Sequence, residues 1–209
     1  MNKNYLIIIG DIIDSKKIRD REKVQNQLRI AFSKLNKQLK DIISPFTITL
    51  GDEFQVVLGN SKDIFQILLT ISEAIFPYNI RYSLSIGRIS TKINRKNAIG
   101  MDGPAFHTAR KGVETLKINK SVFSLKTESK QYDLLISASM NIIFYEIYKY
   151  KSTNRAELFV KTLMGIKKDK VAEVHGVSRQ NISKNIKRWQ IEQKIVVMRE
   201  FEKLMSKEL

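Results

Sequence analysis

Asp11 and Asp52 are the residues whose types and positions first suggest chemistry in this 209-residue sequence. Each follows a glycine, as Gly10-Asp11 and Gly51-Asp52. Two converging carboxylates repel unless a cation or a proton lies between them. The chain has no cysteine and only two histidines, His107 and His175, which excludes a thiolate site, a disulfide framework and an all-imidazole zinc centre. Hard oxygen ligands with neither sulfur nor imidazole nearby favour magnesium or manganese. The loop Asp11-Ile12-Ile13-Asp14-Ser15-Lys16-Lys17 adds groups that can hold phosphates: its backbone amides from Ile12 onward, the hydroxyl of Ser15 and the ammonium of Lys16. Such a site would bind a nucleoside triphosphate with its metal and support phosphoryl chemistry. Aspartates after glycine also suit plain turns at strand ends, so the spacing leaves both roles open.

The elements that must position these residues follow from hydrophobic periodicity. Tyr5–Ile9 is a continuous apolar run ending at Gly10-Asp11, which reads as a buried central strand. Val24, Leu28, Phe32, Leu35, Leu39 and Ile42 recur at helical spacing and predict one long amphipathic helix. Phe46, Ile48 and Leu50 alternate with polar residues, as do Phe54, Val56 and Leu58 after the Gly51-Asp52 turn, giving a hairpin. Ser61 suits the cap of a second helix carrying Ile64, Leu68, Ile71 and Ile75, closed by Pro77. Ile80, Tyr82, Leu84 and Ile86 alternate as a fourth strand. The order β-α-β-β-α-β predicts an α+β, ferredoxin-like domain over residues 1–150. Right-handed crossovers place the first strand between the third and fourth, with the third antiparallel to it. Asp11 and Asp52 then meet at one edge of the sheet.

Several motifs resemble known families. Gly10-Asp11-Ile12-Ile13-Asp14-Ser15, Leu50-Gly51-Asp52-Glu53-Phe54 and the strand Ile80–Ile89 resemble, in that order, class III nucleotidyl cyclases and GGDEF diguanylate cyclases. Gly100–Arg110 resembles the cyclase helix that ends in Ala-Ala-Arg. The resemblance implies a palm-like fold, Asp11 and Asp52 as metal ligands, and Lys16, Glu53 and Arg110 at a nucleotide, where Ile12 and Ser15 of the phosphate-holding loop would join them. Two positions depart from it. Phe106 stands where the cyclase helix carries an asparagine that stabilises the transition state, and Leu50 replaces the paired glycine of the diguanylate motif. More closely, nearly the whole chain resembles the bacterial SatD family, through its Gly-Asp-Ile start, Gly-Asp-Glu-Phe hairpin and Gly-Pro-Ala-Phe segment. That family carries little defined biochemistry.

The final 59 residues are the more basic part. They hold 14 basic and 7 acidic residues, against 23 and 14 in the first 150, within a total charge of +16. Residues 168–187 predict a helix-turn-helix in an all-α domain over 151–209. Ala172 suits the close approach of two helices, Gly176 the positive-φ turn and Val177 the plug beneath it; Ser178 caps the second helix, and Ile182 and Ile186 face inward. Ser178, Arg179, Gln180, Ser183, Lys184 and Lys187 are then the DNA-binding candidates. Arg and Gln can read guanine and adenine edges, while Ser and Lys hold phosphate. A helical packing or dimerisation module has the same pattern. The stripe Ile191, Ile195, Met198, Phe201, Met205 suits core packing or a partner helix, so a homodimer on a palindromic site is a further expectation. No run approaches the ~20 apolar residues of a membrane span, and Leu6–Ile9 is too short for a secretion signal. The sequence thus points to a cytoplasmic DNA-binding regulator whose cyclase-like domain takes a nucleotide with magnesium, or alternatively to a magnesium-dependent nucleotidyl cyclase, weakly active or degenerate.

Overall fold

β1 (Tyr5–Ile12) is buried at every position after Tyr5. A strand covered on both faces must satisfy its backbone along both edges. It pairs antiparallel with β3 (Glu53–Leu58) on one side and with β4 (Ile80–Gly87) on the other. β2 (Ile42–Ile48) lies outside β3, and β5 (Phe123–Lys126) runs parallel to β4, so one mixed sheet has the order β2-β3-β1-β4-β5. The computed structural model describes residues 3–49, 51–149 and 153–209, with the side chains of 157–209 in the last stretch. Leu50 and the expected boundary at Tyr150 lie outside the described residues.

The two faces of the sheet are unequal. Leu6, Ile8 and Ile12 join Phe54, Val56, Tyr82 and Leu84 in the main core, under α1 (Arg21–Gln38), α2 (Ile64–Ala74) and α4 (Asp133–Tyr148). Ile7, Ile9 and Val57 face the other way, toward Ala105, Phe106, Ala109 and Val113 of α3 (Pro104–Ile118). Gly10 sits opposite Phe54, whose ring lies 2.1 Å from where a Cβ would project. Only glycine lets that ring cross the strand.

Two boundaries differ from the sequence expectation. Ile42 begins β2 rather than ending the first helix: Leu39 is already extended, and Ile42 pairs with Leu58. Ser61 does not cap α2. Its hydroxyl donates to the Glu202 carbonyl at 3.0 Å, and the Glu202 side chain accepts the Phe65 amide at 3.1 Å. The cap therefore comes from a distant helix.

Both sheet edges are protected. β2 carries Pro45 and register shifts, as edge strands commonly do. On β5, α4 lays a ladder of side chains four residues apart. Asp133 accepts the Thr127 amide, Ser137 the Leu125 amide, and Asn141 the Phe123 amide while donating to the Phe123 carbonyl.

Four further helices follow: α5 (Thr153–Leu163), α6 (Lys168–His175), α7 (Arg179–Arg188) and α8 (Ile191–Ser206). All five residues of the α8 stripe are buried in the same core as the sheet's main face. No helix among the described residues is long and apolar enough to cross a membrane. Burial pushes the Glu202 carboxyl up to about 7 from an ordinary 4.5. The folded state then keeps a proton that the unfolded chain releases, so stability falls as pH rises from about 4.5 to about 7 and stays lower above it. Glu202→Gln keeps the acceptor for Phe65 without the charge. Its melting temperature is expected to exceed the parent's at pH 8, with the difference gone by pH 4, as thermal scans across pH would record.

Candidate functional site

The α3 face of the sheet changes from apolar to charged at one end. Because side chains alternate along strands, Asp11 follows Ile7 and Ile9 on that face. In register it lies between Glu53 of β3 and Arg81 of β4. Arg81 donates to Asp11 Oδ2 at 3.0 Å, and Lys117 Nζ stands 2.8 Å from Oδ1. Arg110 holds both oxygens of Glu53, which also accepts the Thr49 hydroxyl at 3.0 Å. The Asp11 side chain is 5% exposed and that of Arg81 16%, whereas Lys117 keeps 48% of its surface open. Arg81 Nε is buried, with no hydrogen-bond partner among the described residues. Three cations from β4 and α3 thus surround two acids on neighbouring strands.

The hairpin and the first loop close the end of this cluster. Gly51 takes φ +60°, and its carbonyl accepts from Gln25 at 2.7 Å. Asp52 accepts the Ser15 hydroxyl through its carboxylate and the Ile12 amide through its carbonyl, the latter at 3.1 Å. The Ile13 amide donates to Asn79 at 2.8 Å. The Ile12 amide is therefore engaged inside the fold rather than turned to a ligand. Lys16 is exposed in the short 3-10 turn Ser15–Lys17, while Ser15 is buried.

Asp11, Glu53 and Arg110 come together as a charged group, with Asp52 and Ser15 bonded beside it. Glu53 rather than Asp52 faces Asp11 across the strands. Arg81 and Lys117 were not singled out from the sequence. Their signals were present in the alternation of β4, which puts Arg81 opposite Ile80 and Tyr82, and in the two-turn step from Arg110 to Lys117.

The carboxylates of Asp11 and Glu53 as arranged offer no free oxygen to a divalent metal. Both oxygens of Asp11 are held by protein cations and both of Glu53 by Arg110, while Asp52 accepts the Ser15 hydroxyl through one oxygen. Among the described residues no group of three or more His, Asp or Glu side chains could hold a metal ion. A magnesium ion at Asp11 would have to displace Arg81 and Lys117, two full charges already in contact.

The basic tail forms a separate surface. α6 ends at Gly176 with φ +61°, and the Ser178 hydroxyl accepts the Asn181 amide at 3.1 Å to cap α7. Ala172, Ile182 and Ile186 are buried. Val177, expected as a plug, is instead 40% exposed, whereas Val171 and Ala172 of α6 are buried. Ser178, Arg179, Gln180, Lys184 and Lys187 are exposed and Ser183 is half-buried. Arg179 stands 3.4 Å from Asp169 in an exposed pair, a kind of contact worth little.

Two solved structures of a bacterial light-regulated adenylyl cyclase are similar to this chain. One is 12% identical with a TM-score of 0.44, covering 60% of this chain and 76% of that one. The other is 13% identical with a TM-score of 0.43, covering 60% of this chain and 43% of that one. The crystal structure of the guanylyl cyclase Cya2 gives 14% identity and a TM-score of 0.34 over 55% and 73% of the two chains. No curated protein matches in sequence. The sequence profile of the SatD family matches residues 5–199, nearly the full length, and the chain belongs to that family.

Proposed function

We propose that the Asp11 end of the sheet binds a nucleotide through its phosphates, using the chain's own cations in place of a metal. The observation that carries this reading is Arg81, mostly buried, with one arm on Asp11 and its Nε left without a partner. That nitrogen is closed off from solvent, so Arg81 acts as a fixed interior charge that draws a phosphate by its field rather than through Nε itself. Arg110 and Lys117 stand beside it, partly exposed, and can exchange a carboxylate contact for a phosphate one. Exposed Lys16 adds charge from the adjacent turn.

Turnover is a different matter. Phosphoryl transfer depends on charge positioned at the attacking and leaving oxygens. Asp11 and Glu53 are held as counter-ions, so neither stands free as base or ligand. Phe106 is buried against the sheet and offers no polar group. The site therefore suits binding far better than cyclisation. Thermal-shift screening of the four ribonucleoside triphosphates is the test. At least one should raise the melting temperature in proportion to the logarithm of its concentration, with no cyclic product by mass spectrometry. No shift from any of them would overturn the reading.

A second reading, that α7 reads DNA, is favoured by one specific observation. Its N-terminus is capped by Ser178, its inward residues Ile182 and Ile186 are buried, and its outward face is exposed and basic. Lys184 and Lys187 would then hold phosphates. Replacing both by alanine is expected to weaken binding to duplex DNA and to reduce the slope of log K against log salt by about 2. An unchanged slope in filter-binding or anisotropy measurements would remove this reading. Its failure would leave the nucleotide site untouched.

A further inference from the structure

α3 separates two differently charged flanks of the sheet. Arg110 and Lys117, two turns apart, reach the acids of β3 and β1. Thr108, Lys111 and Thr115, at helical spacing on the opposite flank, border a groove of about 580 Å³ between α3, β5 and the start of α4. Gly112 makes this geometry possible. A Cβ there would stand 2.1 Å from the Ser83 hydroxyl and 3.0 Å from that of Ser124, so only glycine lets α3 lie this close to β4 and β5. Ser124 therefore floors the groove, and Lys126, two residues on, shares its face of β5. Lys130 enters from the turn before α4.

The electrostatics of the groove are one-sided. Among the described residues, no ion pair engages Lys111, Lys126 or Lys130. The acid in the lining, Asp133, is buried and already accepts the Thr127 amide at 3.0 Å and the Thr127 hydroxyl at 2.9 Å. Three ammonium groups thus face one engaged carboxylate. The volume lies within the roughly 300–1,000 Å³ of small-molecule sites. A lone phosphate ion would leave most of it empty, whereas an organic portion can lie along the lysine stems and exposed Leu134.

We propose that this groove is a second anion site, which takes a small phosphate monoester of mononucleotide size or less through Lys111, Lys126 and Lys130. It is independent of the Asp11 cluster, since α3 stands between them and no lining residue is shared. The test is an amide NMR titration of the full chain with 5′-AMP, and with inorganic phosphate as the smaller probe. The Gly112 and Thr127 amides should shift saturably with 5′-AMP and more weakly with phosphate. The double variant Lys111→Ala/Lys126→Ala, on exposed positions, should weaken those shifts about tenfold or more. Arg110→Ala should leave them in place even if it removes nucleotide binding at the other flank. Shifts reproduced by sodium chloride at equal ionic strength, or unchanged in the lysine variant, would overturn the proposal. Loss of the groove shifts in Arg110→Ala would overturn its independence.

Discussion

Replacing Asp11 by alanine is expected to destabilise the fold by about 3–5 kcal/mol, the usual cost of breaking a buried ion pair from one side. The reason lies in what remains. Arg81 is mostly buried, its Nε already lacks a partner, and Asp11 is the acid bonded to it. Removing that acid leaves a guanidinium enclosed by protein with no counter-charge. Lys117 would suffer less, because half of its side chain reaches solvent. Urea unfolding gives the measurement. A companion variant, Asp11→Leu with Arg81→Met, removes both charges and should recover most of the loss, as apolar replacements of buried pairs commonly do. A loss below about 1 kcal/mol for Asp11→Ala would place the pair in the range of exposed ion pairs and contradict its role as an internal counter-ion.

The second large effect concerns affinity. Arg110→Gln together with Lys117→Gln is expected to weaken triphosphate binding about 100-fold or more. Each charge-assisted contact is worth about 1.5–3 kcal/mol, and about 1.4 kcal/mol is a factor of ten. The change also leaves Glu53 without its guanidinium, so that acid would repel the incoming phosphates. Calorimetry at low salt, with the folded fraction confirmed by circular dichroism, would read the loss. Glutamine keeps a donor but not the charge, so an undiminished affinity would contradict the role given to these two cations.

Much of this arrangement was legible in the sequence, and what escaped has a common cause. The apolar run into Gly10-Asp11 and the alternation around Gly51-Asp52 and along Ile80–Ile86 fixed the central strands and brought the Asp11 and Asp52 segments together. These are local patterns of period two, amplified by the handedness of crossovers. The ion pairs were not legible in the same way. Arg81 meets Asp11 through the register of β1 with β4, but whether Lys117 and Arg110 reach the acids depends on where α3 docks, and that follows from Gly112 and from Gly103, whose φ of +150° starts the helix against the backbone of Ser90. The α2 cap was misplaced for a related reason. Ser61 has the right type and position, but Glu202, 137 residues from Phe65, supplies the acceptor. Ile42 kept the helical spacing of its predecessors, yet pairing with Leu58 outweighed it. Long-range partners decided each of these cases.

The most direct test of the central claim is a calorimetric titration of the whole protein with the best-binding triphosphate, once in EDTA and once in magnesium. Protein cations at Arg81, Arg110 and Lys117 should bind the phosphates in EDTA with nearly full affinity, and Asp11→Asn, with one negative charge fewer, should bind more tightly than the parent. Binding that appears only with magnesium and vanishes in Asp11→Asn would contradict it, and would return Asp11 to the role of a metal ligand.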